Sequence, residues 1–128
     1  MDVYKTHGAF SWNELTTSDP AAAAAFYGEL FGWVAKDMGE SMGHYRVVSV
    51  GESGVGGIMA TPEGAPPMPP HWGSYVTVDN VEATLERCAA LGGKTLVPAM
   101  DVPTVGRMAV LQDPQGAVLS VIQYATMT

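Results

Sequence analysis

The sequence predicts an α+β fold in which two βαβββ modules follow one another along the chain. One indication is an internal repeat with a period of about 60 residues, which is longer than the repeats of solenoids or propellers. The residue pairs that show it are Trp12 and Trp72, Thr17 and Thr77, Asp19 and Asp79, Ala23 and Ala83, and Gly32 and Gly92. Another is that each repeat has the pattern of a strand, a capped helix and three further strands. A length of 128 residues, 47% of them apolar, suits one soluble domain over residues 1–128. We expect its parts to be module 1 at about 8–61, a linker at 62–70 and module 2 at about 71–124.

The first module opens with a strand over Gly8–Thr17. Its alternation places Trp12 and Glu14 on one face and Leu15 and Thr17 on the other, as expected for a strand whose two faces meet different surroundings.

A helix follows this strand. Ser18 or Asp19 is predicted to cap it, Pro20 occupies its first turn, where a missing N–H costs nothing, and Gly32 ends it. We expect its core-facing stripe to be Phe26, Leu30 and Phe31.

The remaining elements are predicted in the same way. Glycines bracket the third and fourth strands, and five prolines make Thr61–Pro70 a stiff linker. In the second module Asp79 or Asn80 caps a helix that Gly92 and Gly93 stop. The expected strands are Trp33–Lys36, His44–Val50, His71–Asp79, Lys94–Pro98, Arg107–Leu111 and Ala117–Gln123, with Ala125–Thr128 as a fraying tail.

Composition limits the partners. A formal net charge of −7 with only six Lys and Arg excludes a basic nucleic-acid surface. No apolar run reaches membrane-spanning length, and the first residues do not resemble a signal peptide, so we expect a cytoplasmic protein that binds no membrane. Cys88 is the only cysteine, which leaves no internal disulfide and no cysteine-based zinc cage, and we expect it to be a buried structural thiol.

Several motifs together resemble the vicinal-oxygen-chelate superfamily of glyoxalases, bleomycin-resistance proteins and extradiol dioxygenases. They are Thr-Ser-Asp-Pro at 17–20, Ala-Phe-Tyr-Gly-Glu-Leu-Phe-Gly-Trp at 25–33, Tyr-Val-Thr-Val-Asp-Asn at 75–80 and Asp-Pro-Gln-Gly-Ala-Val-Leu-Ser-Val at 113–121. The resemblance implies curved mixed sheets that enclose a cavity, helices outside, a small-molecule ligand and a homodimer.

Metal-dependent members of that superfamily hold one divalent ion with His, Gln or Glu side chains from the first and last strands of each module. Here the matching positions are Trp12, Ile58, Gly73 and Ser120. These side chains cannot build a site of imidazoles and carboxylates. We therefore predict no metal and no other cofactor, and a Zn, Ni, Mn or Fe ion is the less favoured alternative.

Glu14 is the candidate catalytic residue, because a carboxylate on the cavity face of a strand would be partly desolvated and suited to acid–base chemistry. An ion pair of Glu14 with Arg46, Arg107 or His71 is the structural alternative. Aromatic and methionine side chains favour a partly apolar ligand, although ordinary core filling explains them equally well. The candidate ligand-binding residues are Trp12, Trp72, Tyr75, Thr77, Ser120, Ile58, Met59 and Met108.

Three functions stay open at this point. The preferred hypothesis is a glyoxalase/bleomycin-resistance-like protein that binds a small, partly apolar organic molecule in the inter-module cavity without a catalytic metal. The alternative is a glyoxalase-like enzyme, of lyase, isomerase or oxygenase type, that uses Glu14 on a carbonyl or oxygenated metabolite. A third hypothesis, an interaction module with a filled barrel, predicts no cavity.

Overall fold

A computed structural model describes residues 1–62, 64, 68–102 and 105–125 of the chain. It confirms the α+β class and the two βαβββ modules. The first module has β1 (Phe10–Thr17), α1 (Pro20–Phe31), β2 (Val34–Asp37), β3 (Arg46–Val50) and β4 (Ser53–Ala60). The second has β5 (His71–Thr77), α2 (Val81–Ala90), β6 (Lys94–Val102), β7 (Gly106–Gln112) and β8 (Val118–Tyr124). By internal contacts the chain divides into two compact units, Trp12–Gly73 and Met1–Ser11 with Ser74–Thr128.

In the unit Trp12–Gly73 the strands follow the order β2-β3-β4-β1, and β1 runs parallel to β4 while the other neighbours are antiparallel. One face of these strands packs on α1. The core there consists of Leu15, Val48 and Ile58, against which Ala23, Ala24, Tyr27 and Trp33 pack. The opposite face carries Trp12 and Glu14, because side chains alternate along a strand.

The predicted core stripe of α1 was wrong. Phe26, Leu30 and Phe31 are 60%, 56% and 59% exposed, and none of the helix residues is fully buried. The helix meets the strands through Ala23, Ala24 and Tyr27 instead. Small alanine side chains let the helix backbone lie close to the sheet, and this orientation turns the larger apolar residues outward.

The helix caps show where the repeat was misaligned. Asp19 caps α1 by accepting a hydrogen bond from the Ala22 N–H at 3.0 Å, and Asn80 caps α2 by accepting one from the Ala83 N–H at 2.8 Å. Asn80 follows Asp19 by 61 positions (80 minus 19), so the structural counterpart of Asp19 is Asn80 and Asp79 precedes the cap. Gly32 ends α1 in the left-handed conformation, with φ +76°, as predicted.

In the other unit the strands follow the order β5-β8-β7-β6, with β5 parallel to β8. Its core is formed by Val78, Val81, Ala109 and Val121, with Val76 and Leu85 packed against it. Val76 and Val121 are cross-strand partners, so Tyr75 and its partner Ser120 lie on the face away from α2.

Some predictions differ from the structure or fall outside it. β6 continues to Val102, beyond the predicted end at Pro98, and Cys88 is only partly buried. Most of the proline linker's middle (63 and 65–67), two residues of the loop before β7 (103–104) and the tail 126–128 lie outside the described residues. Within the described part of the chain, no helix is long and apolar enough to span a membrane.

Candidate functional site

Three polar side chains meet on the face of β1 that points away from α1. Tyr45, in the loop just before β3, donates its hydroxyl hydrogen to Glu14 Oε2 at 2.8 Å. The same hydroxyl accepts a hydrogen bond from Trp12 Nε1 at 3.0 Å. Trp12, Tyr45 and Glu14, which we call the first-module triad, are all partly buried. The bond from Tyr45 fixes one carboxylate oxygen of Glu14 beside an aromatic wall.

Gly57 makes room for this triad. In the parallel pairing of β1 with β4, Gly57 is the register partner of Glu14. A Cβ atom at Gly57 would lie 1.7 Å from the Tyr45 hydroxyl oxygen, far inside van der Waals contact. The Tyr45 hydroxyl therefore occupies the place where a side chain of residue 57 would project.

The strand register corrects one of the four superfamily metal positions. The caps and the buried face of each module align Glu14 with Tyr75, 61 positions apart (75 minus 14). The register pairs Glu14 with Gly57 and Tyr75 with Ser120. The first-module counterpart of Ser120 is therefore Gly57, and Ile58 is fully buried in the core on the α1 side.

The corrected set does not fit a divalent metal. Trp12, Gly57, Gly73 and Ser120 include two residues without side chains, an indole that only donates hydrogen bonds, and one neutral hydroxyl. At Gly57 the nearest group is the Tyr45 hydroxyl, which is already engaged with Glu14 and Trp12. Among residues 1–62, 64, 68–102 and 105–125, no group of three or more His, Cys, Asp or Glu side chains is placed to hold an ion.

The predicted ligand residues Met59 and Trp72 lie on opposite faces of the first-module strands. Met59 pairs with Thr16 and lies on the triad's face of β4, and it is partly buried. Trp72 lies on the α1 side instead, where its Nε1 donates to the Tyr27 hydroxyl at 3.1 Å and its ring packs on Trp33.

In the other unit the face away from α2 carries Tyr75, Thr77, Ser120 and Met108. Thr77 is buried and donates its hydroxyl to the Val3 carbonyl at 2.7 Å, and the Ser11 Oγ lies 2.8 Å away. Ser11 also bonds the Tyr124 hydroxyl at 2.7 Å, and burial raises the pKa of Tyr124 above 10.0. Thr77 thus supports a network inside the protein, whereas Ser120 and Met108 are partly exposed.

The histidines and the Asp101–Arg107 pair behave as structural groups. His44 Nδ1 lies 3.1 Å from Asp37 Oδ2, His7 accepts from the Asp79 N–H, and His71 contacts the Pro69 carbonyl. Arg107 donates to Asp101 Oδ1 at 2.9 Å, and it also contacts Glu82.

A cavity of about 500 Å³ opens beside α2, and no sequence pattern predicted it. Its walls are mostly apolar and come from α2 and the β7–β8 turn, among them Ala83, Cys88, Leu91, Leu111 and Pro114. Its volume is in the range of ligand pockets, and its lining includes charged groups of both signs, among them Arg87 and Asp79.

Two βαβββ modules, each with its first strand parallel to its last, define the vicinal-oxygen-chelate class of fold. The chain belongs to the Glyoxalase/Bleomycin resistance protein/Dioxygenase superfamily, whose family profile matches residues 9–121. The predicted resemblance is confirmed. Methylmalonyl-CoA epimerase from Mycobacterium tuberculosis shares this fold with a TM-score of 0.69 over 93% of this chain and 89% of that one, at 16% identity. A homoprotocatechuate 2,3-dioxygenase from B. fuscum aligns with a TM-score of 0.60 over 93% of this chain and 33% of that one, at 17% identity.

Two relatives are similar in sequence. CFP32 of Mycobacterium tuberculosis, named as a candidate glyoxylase, is 44% identical over 119 residues, which is 92% of this chain and 45% of that protein. The anthracycline biosynthesis protein DnrV of Streptomyces peucetius is 34% identical over 133 residues, covering 94% of this chain and 48% of that protein. The chain therefore spans about half the length of the curated relatives it matches.

Proposed function

We propose that the protein binds a small, partly apolar organic molecule against the first-module triad, without a metal ion at the superfamily positions. The observation that supports this most is the hydrogen-bonded arrangement of Trp12, Tyr45 and Glu14 beside Gly57. Trp12 offers an aromatic surface for an apolar ring, and Glu14 offers a fixed carboxylate that accepts hydrogen bonds from a hydroxyl or amine.

An anthracycline is a suitable probe, because DnrV is named for anthracycline biosynthesis and such molecules combine flat rings with hydroxyl and amine groups. Binding is measured by quenching of the drug's own fluorescence as protein is added. Trp12→Ala should weaken binding about tenfold or more, since it removes a ring-stacking surface worth roughly 1.4 kcal/mol. Trp72→Phe is the matched control, because Trp72 lies on the α1 side, and it should leave the affinity unchanged. Equal affinity of wild type and Trp12→Ala would contradict the proposal.

A second candidate function is catalysis by Glu14, which the Tyr45–Glu14 hydrogen bond favours. Tyr45 O–H donates to one oxygen, so the carboxylate is held in a single orientation from which it can take a proton from a carbon beside a carbonyl. The test is turnover of a 2-oxoaldehyde–thiol adduct, the type of substrate that a glyoxalase-like activity implies. Glu14→Gln should abolish turnover and preserve binding if this candidate is correct, and unchanged turnover in Glu14→Gln excludes it.

The proposed lack of a metal is tested by thermal unfolding with Ni²⁺, Zn²⁺, Mn²⁺ or Fe²⁺. An ion that binds the folded state raises the midpoint in proportion to the logarithm of its concentration. We expect no such rise, and a saturable, stoichiometric stabilisation would overturn the metal-free proposal. A homodimer is also part of the proposal, and a cytoplasmic location remains a prediction.

A further inference from the structure

The outward face of α1 is apolar, although it is exposed. Glu29 is the only charged residue in the helix sequence Pro-Ala-Ala-Ala-Ala-Ala-Phe-Tyr-Gly-Glu-Leu-Phe. Exposed positions on this face include Ala22, Ala25, Phe26 and Leu30, and the helix has no fully buried residue. A helix that is apolar all round is normally covered on all sides. The outer face of α1 therefore lacks its cover in the isolated chain.

An aromatic cluster extends this face beyond the helix. The ring of Tyr27 contacts Phe26 at a centroid distance of 5.0 Å, Phe31 at 6.1 Å and Trp72 at 5.4 Å. Trp33, the residue just before β2, joins the cluster with its ring centroid 5.0 Å from that of Phe31. We call the exposed part of this surface, made by Phe26, Leu30, Phe31 and Trp72, the α1 patch. Phe26, Phe31 and Trp72 are joined through the rings of Tyr27 and Trp33. Leu30 follows Phe26 by four positions and therefore lies on the same face of the helix, so the patch is continuous.

The exposed apolar area of the patch is about half the area that a small protein–protein interface buries. Phe26, Leu30 and Phe31 are more than half exposed and Trp72 is 41% exposed. With a full side chain of this kind burying about 150–250 Å², the patch and its neighbouring alanines expose roughly 500 Å² of apolar surface. The largest apolar patch of a typical monomer is about 300–600 Å² and often has a function, so a patch of this size marks a candidate interaction surface. Two such patches facing each other would bury about 1,000 Å², the lower limit for a specific interface.

The length of the relatives indicates what covers the patch. CFP32 and DnrV each contain roughly one more stretch of this chain's length in a single polypeptide. A second copy of this chain supplies a stretch of that length. The four residues of the α1 patch are uncharged, and Glu29 is the charged residue of α1 beside them, so two patches can face each other without charge repulsion at their centre.

We infer that the α1 patch is a self-association surface, and that two copies of this chain pair through it about a two-fold axis. This inference depends on the proposed homodimer but not on the proposed ligand. In the pair, Phe26, Leu30 and Phe31 of one copy contact the same residues of the other. Glu29 lies at the rim and stays hydrated.

The test is molar mass in solution by light scattering and sedimentation equilibrium. Wild type should have twice the 13.5 kDa mass of one chain. The double variant Phe26→Glu, Leu30→Glu should dissociate at least 100-fold more readily and elute as a monomer. The matched control Ala89→Glu, Ala90→Glu changes exposed positions of α2 and should remain a dimer. Circular dichroism and the unfolding midpoint show whether each variant is folded, and Leu30→Gln with Phe31→Gln serves as a milder variant if the glutamates prevent folding.

Each outcome decides something. A monomeric wild type overturns the homodimer and this inference together, whereas a folded patch variant that stays dimeric overturns the inference alone. The inference is also overturned if the measured molar mass falls equally in the patch variant and in the α2 control, because the loss of the dimer would then not be specific to the α1 patch. Anthracycline binding by the monomeric patch variant should equal that of wild type, which separates this surface from the proposed ligand site.

Discussion

The two helices occupy the same place in the repeat but have different outer surfaces. Asp19 caps α1 and Asn80 caps α2. Each helix packs on its strands through uncharged residues, Ala23, Ala24 and Tyr27 in α1 and Val81 and Leu85 in α2. α2, however, carries Glu82, Glu86 and Arg87 on its exposed side, and Arg107 contacts Glu82. α1 has alanine, phenylalanine and leucine at its exposed positions. The two modules thus have similar cores, while α2 presents charged side chains at its exposed positions and α1 presents the apolar surface proposed above as an interface.

The faces away from the helices differ in a similar way. Where the first module has Glu14 opposite Gly57, the second has Tyr75 opposite Ser120. The space left by Gly57 is filled by the Tyr45 hydroxyl, which orients Glu14. The two modules therefore have the same strand pairing, but at this register position the first carries a carboxylate and the second a tyrosine.

The largest loss of stability is expected at Ile58, because this residue was predicted to line the ligand site but lies in the hydrophobic core. Ile58→Ala removes a side chain that is fully buried against Leu15 and Val48, so unfolding should become easier by about 2–5 kcal/mol. The adjacent Met59→Ala changes a partly exposed side chain and should cost less than half as much. Urea denaturation measures both. An Ile58→Ala protein of wild-type stability would mean that residue 58 lines a ligand cavity rather than the core.

A smaller loss of stability is expected from a substitution at Gly57, the position at which the two modules differ most. Gly57→Ala places a methyl group in the space of the Tyr45 hydroxyl, so the ring must swing away from Glu14. We expect a loss of about 1–3 kcal/mol and a changed near-ultraviolet dichroism signal from Tyr45. Ser120→Ala, at the corresponding place in the second module, should stay within about 0.5 kcal/mol of wild type. Equal stabilities of the two variants would remove the distinction between the modules.

The helix caps come next in size and test the alignment of the repeat. Asp19→Ala and Asn80→Ala each remove a side-chain acceptor for a helix N–H, which should cost about 1 kcal/mol. Asp79→Ala, one residue earlier, should cost less than about 0.5 kcal/mol because its side chain is exposed and caps nothing. Thermal unfolding of the three variants measures this order. A costly Asp79→Ala would restore the alignment of Asp19 with Asp79.

Local sequence signals were sufficient for the fold. Proline after Asp19, glycine at 32 and alternating strands define element boundaries without any long-range information. The one-residue error in the repeat arose because Asp79 and Asn80 are both good caps and only the hydrogen bond to Ala83 distinguishes them. A separate one-residue shift, in the alignment of β4 with β8, placed Ile58 instead of Gly57 at the second metal position.

Other features depended on tertiary structure. Hydrophobicity alone predicted that Phe26 and Phe31 face the core. In the structure the small side chains of Ala23 and Ala24 face the sheet, where they allow a close approach of the helix, and the two phenylalanines are exposed. Trp12 and Glu14 were proposed as site residues from their strand. Their hydrogen bonds to Tyr45 could not be predicted, because Tyr45 lies 31 residues from Glu14 and no spacing rule connects the two. The glycines of β4 were a usable signal, because they indicate that another group approaches the backbone closely.

The smallest predicted effect concerns the charged face of α2, and it tests whether that helix really faces solvent. The hydrogen bond from Arg107 holds the pKa of Glu82 below its ordinary value of 4.5. Because the pKa of Glu82 is lower in the folded than in the unfolded protein, ionised Glu82 stabilises the fold at pH values above its unfolded-state pKa. This stabilisation is lost as the pH falls through the folded-state pKa. Arg107→Ala should return the Glu82 pKa toward 4.5, as followed by carboxyl NMR titration, with little change in stability because both groups are exposed. Added 1 M salt should move the wild-type pKa in the same direction by screening the pair. If salt leaves the Glu82 pKa unchanged, the outer face of α2 is covered as well, and the contrast with the α1 patch no longer holds.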